Sequence, residues 1–202
     1  MRYGKEHKAD THRRVVDAAA RRFRRNGIEA TGVVDLMADA GLTHGGFYAH
    51  FPSKETLVRE AVLAASAQGR KHFQEQIEEA RTAGREPLEE IVRQYLTALH
   101  RDRPDRGCTI ATLGAEIARH PRKTREAFTE GLAKTLTMLA SALPNPTRAD
   151  AKERAIGVFG AMIGTLQLAR VLADSDQSQA ALDAGVKSAL AIGRGDLRSS
   201  SH

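Results

Sequence analysis

The chain reads as an all-α protein. Apolar residues recur at three- and four-residue intervals along most of its length, and Gly- and Pro-containing breaks separate the periodic runs. No stretch alternates with the two-residue period of a strand, and no internal repeat is present. A third observation narrows the class. Near the N-terminus two very short helical runs flank a Gly-containing turn, which is the spacing of a helix-turn-helix.

Taken in order, residues 1–9 read as a loose arm, and Asp10 or Thr11 caps the first helix. Val15, Val16, Ala19, Ala20 and Phe23 form its apolar stripe, and Asn26-Gly27 ends it. Ile28 then packs beneath the helices that follow. Val33, Leu36, Met37 and Ala40 give the second helix a core face. Gly41 ends that helix because a left-handed residue costs Gly nothing, Leu42 turns inward, and Thr43 caps the next helix. This third run, residues 44–50, is an odd choice for a purely structural helix. Gly45 and Gly46 each cost about 1 kcal/mol relative to Ala. They leave the helix N-terminus nearly without side chains, so its backbone N–H groups and positive end can approach a phosphate or a groove wall closely. His44, Tyr48 and His50 surround that bare end with donors, while Phe47 and Phe51 serve as inward anchors.

Pro52 breaks the chain, and Ser53 caps a long helix over residues 54–80 with Leu57, Val58, Ala61, Val62, Ala65 and Phe73 on its core side. Thr82-Ala83-Gly84 stops it. Pro87 opens a helix carrying Leu88, Ile91, Val92, Tyr95, Leu96 and Leu99, and residues 103–107 form a loop. Cys108 then starts a short helix through Ile110, Leu113 and Ile117 to His120. Pro121 begins a longer one through Phe128, Leu132, Leu136, Leu139 and Leu143, which Pro144-Asn145-Pro146 ends. Two helices follow, over residues 148–172 and 177–192, and residues 193–202 read as a disordered tail. The first of this pair is apolar nearly all round, with Gly157, Gly160, Ala161 and Gly164 among Ile156, Val158, Phe159, Ile163, Leu166 and Leu168. More than one of its faces should be buried, either inside one subunit or against a second copy.

Composition excludes several classes. The 202 residues suffice for one or two domains with a real core. A single cysteine, Cys108, rules out an internal disulfide framework and fits a reducing interior. The N-terminus lacks the apolar run of a signal peptide, and no stretch is long enough to span a membrane. No His or Cys spacing supplies a zinc ligand pair, no Gly-rich nucleotide loop follows a strand, and nothing marks a nucleophile elbow. No cofactor, no metal and no enzymatic activity are therefore expected. The net charge of +6 is concentrated. Residues 1–25 hold nine basic residues against three acidic ones, which accounts for all of it. A solvated Arg-rich helix face would look the same, but beside a helix-turn-helix such a face favours nucleic acid.

The run Thr43-x-Gly45-x-Phe47-Tyr48-x-His50-Phe51-x-Ser53-Lys54-Glu55-x-Leu57 closely resembles the N-terminal signature of the tetracycline-repressor (TetR/AcrR) family. So do Gly27-x-x-Ala30-Thr31-x-Val33-x-Asp35-Leu36 and Ala40-Gly41-Leu42-Thr43 before it, without gaps. The resemblance covers the N-terminal part of the chain; the remainder matches in size and helical character. It implies a three-helix DNA-binding domain over residues 1–53 and a helical-bundle effector-binding and dimerisation domain over residues 54–202. The function implied is that of a cytoplasmic, homodimeric transcriptional repressor, released from an inverted-repeat operator by a small molecule. In such proteins Thr43, Tyr48, His50 and Lys54 match positions that hold phosphates, and His44, Gly45 and Gly46 match positions that face base edges. Where the family commonly has Ser or Thr, this chain has Gly32, which offers no hydroxyl; Thr31 can substitute. The resemblance also places the dimer interface on the last two helices, around Gly157, Gly160, Ala161 and Gly164.

For the effector pocket, the apolar faces of the middle helices nominate Tyr95, Leu99, Leu113, Phe128, Met138, Phe159, Met162 and Gln167, with Tyr95 and Gln167 as polar handles. Plain core is an equal reading for most of them. Cys108 opens a helix beside Arg106, a setting that favours a thiolate and would suit a sensor of oxidants or electrophiles. The weightier reading of a single cysteine is a small buried hydrophobe. A helical-bundle enzyme or interaction module without DNA binding is the alternative of another class, and salt-dependent retention on duplex DNA separates it from a regulator.

Overall fold

The computed structural model describes residues 2–196, and among these there are helices and no strands. Nine α-helices run in the order α1 Arg2–Asn26, α2 Val33–Asp39, α3 Lys54–Thr82, α4 Pro87–Tyr95, α5 Ala98–Asp102, α6 Thr109–Ile117, α7 Arg122–Ala142, α8 Ala151–Val171 and α9 Ser175–Arg194. Two 3-10 helices, His44–Ala49 and Pro104–Arg106, interrupt the series. Most boundaries fall within two or three residues of those expected, because caps and breakers set them. Ser53 Oγ accepts from Thr56 N at the start of α3, and Gly84 ends that region with φ +66°.

Four expectations need correction. The first residues are not a loose arm: α1 begins at Arg2, so neither Asp10 nor Thr11 is its cap. The helix after Pro87 stops at Tyr95, and Leu99 belongs to a separate turn of helix, α5, capped by the Thr97 side chain accepting from His100 N. The 103–107 loop contains a 3-10 turn. Of the expected tail, Gly193 and Arg194 close α9 and Gly195 supplies a left-handed cap, while the part beyond residue 196 lies outside the described residues.

The chain divides into two compact units: residues up to Gln68 with Pro104–Gly131, and Gly69–Arg103 with the residues from Leu132 onward. The division falls within α3 and α7. In the first unit one core gathers Val15, Ala19 and Phe23 of α1, Leu36 and Met37 of α2, Phe47 and Phe51, Leu57 and Ala61 of α3, and Leu113, Ile117 and Phe128 of α6 and α7. Polar contacts between segments distant in sequence fix this unit. Glu116 of α6 accepts from the backbone N–H groups of Ile28 (2.8 Å) and Glu29 (3.1 Å), and Glu55 of α3 accepts from His120 Nδ1 (2.9 Å) and Thr124 Oγ1 (2.5 Å).

In the second unit α8 packs along α9 with glycines at the tightest points. A methyl group on Gly185 would lie 2.2 Å from Thr165, one on Gly193 2.4 Å from Leu88, and one on Gly157 2.9 Å from Ile192. Buried Arg154 ties the turn between α7 and α8 to the end of α9, donating to Asp150 and to the carbonyls of Pro144, Asn145 and Gly193.

Candidate nucleic-acid interface

The site is built on α2, the turn after it and the 3-10 helix His44–Ala49. Leu36 and Met37 anchor α2 to the core at 0 % exposure, and Gly41 turns the chain with φ +71°. Leu42 N then closes the turn on Met37 O at 2.8 Å. Arg14 of α1 braces it by donating to Ala40 O at 2.6 Å. The second helix of the motif is 3-10 rather than α, as fits a six-residue segment carrying two glycines. Phe47 and Phe51 hold it down from inside, with ring centroids 5.6 Å apart.

This anchoring leaves the outer face of the segment clear. Thr43, His44 and Gly45 are exposed, and nothing lies within 4 Å of where a Gly45 side chain would start. A side chain on Gly46 would start 3.7 Å from Met37 Cε. Tyr48 is 69 % exposed although its ring meets Phe47 edge-on, so its hydroxyl end projects from the surface. Thr43 precedes the helix in extended conformation, and its side chain makes no cap bond, which leaves the hydroxyl available for an outside acceptor.

Three expected contacts look different in place. Thr31 is 1 % exposed and its hydroxyl donates to Gly27 O at 2.6 Å. It is a lock on the turn between α1 and α2, and in this structure it does not replace the hydroxyl that Gly32 lacks. Gly32 itself caps α2 through its extended backbone alone. Lys54 spends one ammonium proton on Ile28 O (2.8 Å), which aims the group and leaves two donors. His50 is half-buried beside His12 and Phe51, and its Nδ1 is buried with no partner among the described residues. Burial, reinforced by His12 and Lys8, pushes its pKa below the ordinary histidine value, so near neutral pH it is an uncharged ring rather than a cation.

The eight nominated pocket residues differ in setting. Leu113 and Phe128 belong to the core of the first unit. Tyr95, Phe159 and Met162 are buried in the second, where Tyr95 stacks on Phe73 and meets His100 edge-on. Met138 is half-buried, whereas Leu99 is 73 % exposed and Gln167 is also exposed. Period alone assigned them to a shared face, but the break at Leu96 rotates Leu99 out of register with α4. Sequence reasoning missed a polar string beside Tyr95: Gln76 of α3, 4 % exposed, donates to Gln94 of α4 and lies 2.9 Å from His72 Nε2.

Of the small residues on α8, Gly157 faces Ile192 of α9 within the protomer, while Gly160 and Gly164 have nothing within 4 Å. Ile156, Leu168 and Val171 are exposed on the same helix, and Ala161 is half-buried. Cys108 is the N-cap of α6 and is partly exposed.

The site is an outward-facing helix-turn-helix in an all-helical chain. The model for "Bacterial regulatory proteins, tetR family" matches residues 15–61, which spans α1, the helix-turn-helix and the start of α3. Over 65 residues the chain is 32% identical to the uncharacterized HTH-type transcriptional regulator YfiR of Bacillus subtilis (strain 168), covering 32% of each protein. The chain thus spans about a third of the length of this curated relative. Solved structures share the fold along almost the whole chain. E. coli NemR in its reduced form has a TM-score of 0.75 at 18% identity, covering 90% of this chain and 96% of its own. FadR from Bacillus subtilis, in complex with stearoyl-CoA, has a TM-score of 0.65 at 19% identity, covering 90% of this chain and 97% of its own. The similarity to the TetR family of bacterial regulatory proteins thus covers residues 15–61, and the curated relative is described as a transcriptional regulator. Among the described residues no helix is long and apolar enough to cross a membrane.

Proposed function

We propose that this protein is a homodimeric repressor that reads an inverted-repeat operator and leaves it when a small molecule binds the second unit. The observation that carries the DNA reading is the exposed segment His44–Ala49, held from inside by Phe47 and bare at Gly45. Phosphate contacts by Thr43, Tyr48 and Lys54 would set register, and base-edge contacts around His44, Gly45 and Gly46 would set sequence choice. One short helix offers too little contact for a specific site. A two-fold dimer supplies the second copy, with half-sites about 34–36 Å apart or a multiple of that. The open face of α8, with Ile156, Gly160, Gly164, Leu168 and Val171, supports pairing there. The division at residues 53 and 54 is the functional boundary in this reading, with α3 leading from one task to the other. For the effector, the second unit offers buried Tyr95, Phe159 and Met162, and separately the hydrogen-bonded polar string of His72, Gln76 and Gln94. An effector releases DNA only if it binds the two states unequally.

The test uses a duplex selected by the protein from random sequence. Lys54→Ala should weaken binding to all sequences alike and reduce the slope of log affinity against log salt by about one. Tyr48→Phe should weaken binding without changing sequence preference. Unchanged affinity and slope in both variants would overturn the assignment.

A further inference from the structure

A polar cleft of about 400 Å³ opens in the first unit, lined by Arg21, Arg22, Arg25 and Asn26 of α1, Asp39 at the end of α2 and Asp105 of the 104–106 turn, with Ala18 as its one aliphatic residue. None of the residues assigned to contacts of the helix-turn-helix with DNA lines it, although Arg21, Arg22 and Arg25 belong to the basic stretch of residues 1–25. Its volume lies in the range of small-molecule sites, but its lining is hydrophilic where most such sites are apolar.

The charges in the cleft do not cancel. Arg22 is occupied, pairing with Asp39 at 2.7 Å and Asp35 at 3.5 Å, yet its Nε is buried with no partner among the described residues. Arg24 stands directly behind, 7 % exposed, donating to Asp105 O at 2.9 Å. Burial lowers its pKa, Asp105 opposes that, and neighbouring Arg21 lowers it again, so the guanidinium groups crowd one another. Arg21 and Arg25, one helical turn apart and exposed, have no acidic partner among the described residues. Two uncompensated guanidiniums on one face of α1 form a fork for a doubly charged oxyanion, which Arg recognises bidentately.

The remaining groups say what the anion is attached to. Asp39 and Asp105 would repel a polycarboxylate but have acceptor capacity for hydroxyl protons, and Asn26 offers both donor and acceptor. No aromatic ring lines the cleft, so nothing is present to stack a nucleobase. We propose that this cleft binds a phosphorylated polyhydroxy compound of sugar-phosphate type, with the phosphate on Arg21 and Arg25 and the hydroxyls on Asp39, Asp105 and Asn26.

Isothermal titration of the full chain at constant ionic strength tests this, with glucose 6-phosphate, ribose 5-phosphate, inorganic phosphate and glucose as probes. At least one sugar phosphate should bind saturably, one per chain, and at least about tenfold more tightly than inorganic phosphate; glucose should not bind. Arg21→Gln/Arg25→Gln should lose that binding while keeping the wild-type circular dichroism spectrum, and Arg25→Gln alone should weaken it. Saturable binding by neither sugar phosphate, equal affinity for inorganic phosphate, or unchanged binding in the double variant would overturn the proposal. So would a double variant that keeps its response to the probes but loses duplex affinity with a salt slope lower by about two, because the arginines would then serve backbone phosphates of DNA.

Discussion

Glycines of the helix-turn-helix, α8 and α9 that look alike in the sequence fall into two opposite groups in the structure, and the division runs through α8 itself. At Gly45, Gly160 and Gly164 a side chain would meet nothing within 4 Å, whereas at Gly157, Gly185 and Gly193 it would come within 3 Å of a neighbour. In the first group glycine leaves the surface of the protomer bare. In the second it lets two elements of the same protomer close on each other. A glycine row therefore reports close approach without reporting by what, and only the facing element decides.

The comparison is broken most severely at Gly185. The site is buried, and an added methyl would overlap Thr165 at 2.2 Å from its Cγ2 and 2.7 Å from its Cβ, so a rotamer change of Thr165 cannot clear it. Gly185→Ala should force α8 and α9 apart and cost about 1–3 kcal/mol. For a chain of this size that is a fall in Tm of roughly 2–12 °C, read by thermal unfolding. A variant as stable as wild type would mean that the helices are not closely seated there.

How much of this was legible in the sequence divides along the same line. Local signals were sufficient for the helix-turn-helix. Gly41 demands its left-handed φ, Phe47 and Phe51 sit where period places them, and Ser53 caps α3, because each depends on neighbours a few residues away. Contacts spanning long separations left no local signal. The Glu116 carboxylate holding the Ile28 and Glu29 amides, and Glu55 joining His120 and Thr124, look in the sequence like ordinary surface acids. Thr31 misled for a related reason. Its position marks the start of α2, but its inward rotamer is set by Gly27 O. Among the nominated pocket residues the settings differ, because helical period says which residues are apolar together and not which helices later face one another. Leu113 and Leu99 carry equally good patterns, and one is 2 % exposed while the other is 73 %.

A gentler probe uses one half-buried imidazole in each unit. His100 has its pKa lowered, first by burial and then by Arg170 and His72, with its bond to Tyr95 O opposing. The unfolded chain then binds a proton that the folded chain resists. The neutral ring's contribution to stability is complete above the ordinary histidine value of about 6.5 and is lost as pH falls toward the folded-state pKa. His50 in the first unit shifts in the same direction. Urea midpoints should therefore fall between pH 8 and pH 5.5, and His100→Gln should flatten part of that dependence. A variant with the wild-type pH profile would show that His100 does not contribute.

The smallest effect on the fold, and the sharpest use of the contrast, belongs to Gly160. It sits exposed in the middle of α8, where glycine weakens a helix and no neighbour would meet a side chain. Gly160→Ala should therefore leave the protomer intact and raise its stability by about 0.5–1 kcal/mol, the reverse of Gly185→Ala. Gly160→Leu should also fold, since the space beside it is open within the protomer. Its consequence lies in assembly. If a second copy approaches along Ile156, Gly160, Leu168 and Val171, leucine holds the two helices apart, and sedimentation should show monomers at concentrations where wild type is dimeric. Operator affinity should then collapse, because a lone recognition segment lacks its symmetric partner. A Gly160→Leu protein that remains dimeric and binds the operator normally would show that the open face of α8 serves something other than pairing. A wild-type chain that is monomeric both free and on DNA would remove the inverted-repeat reading altogether.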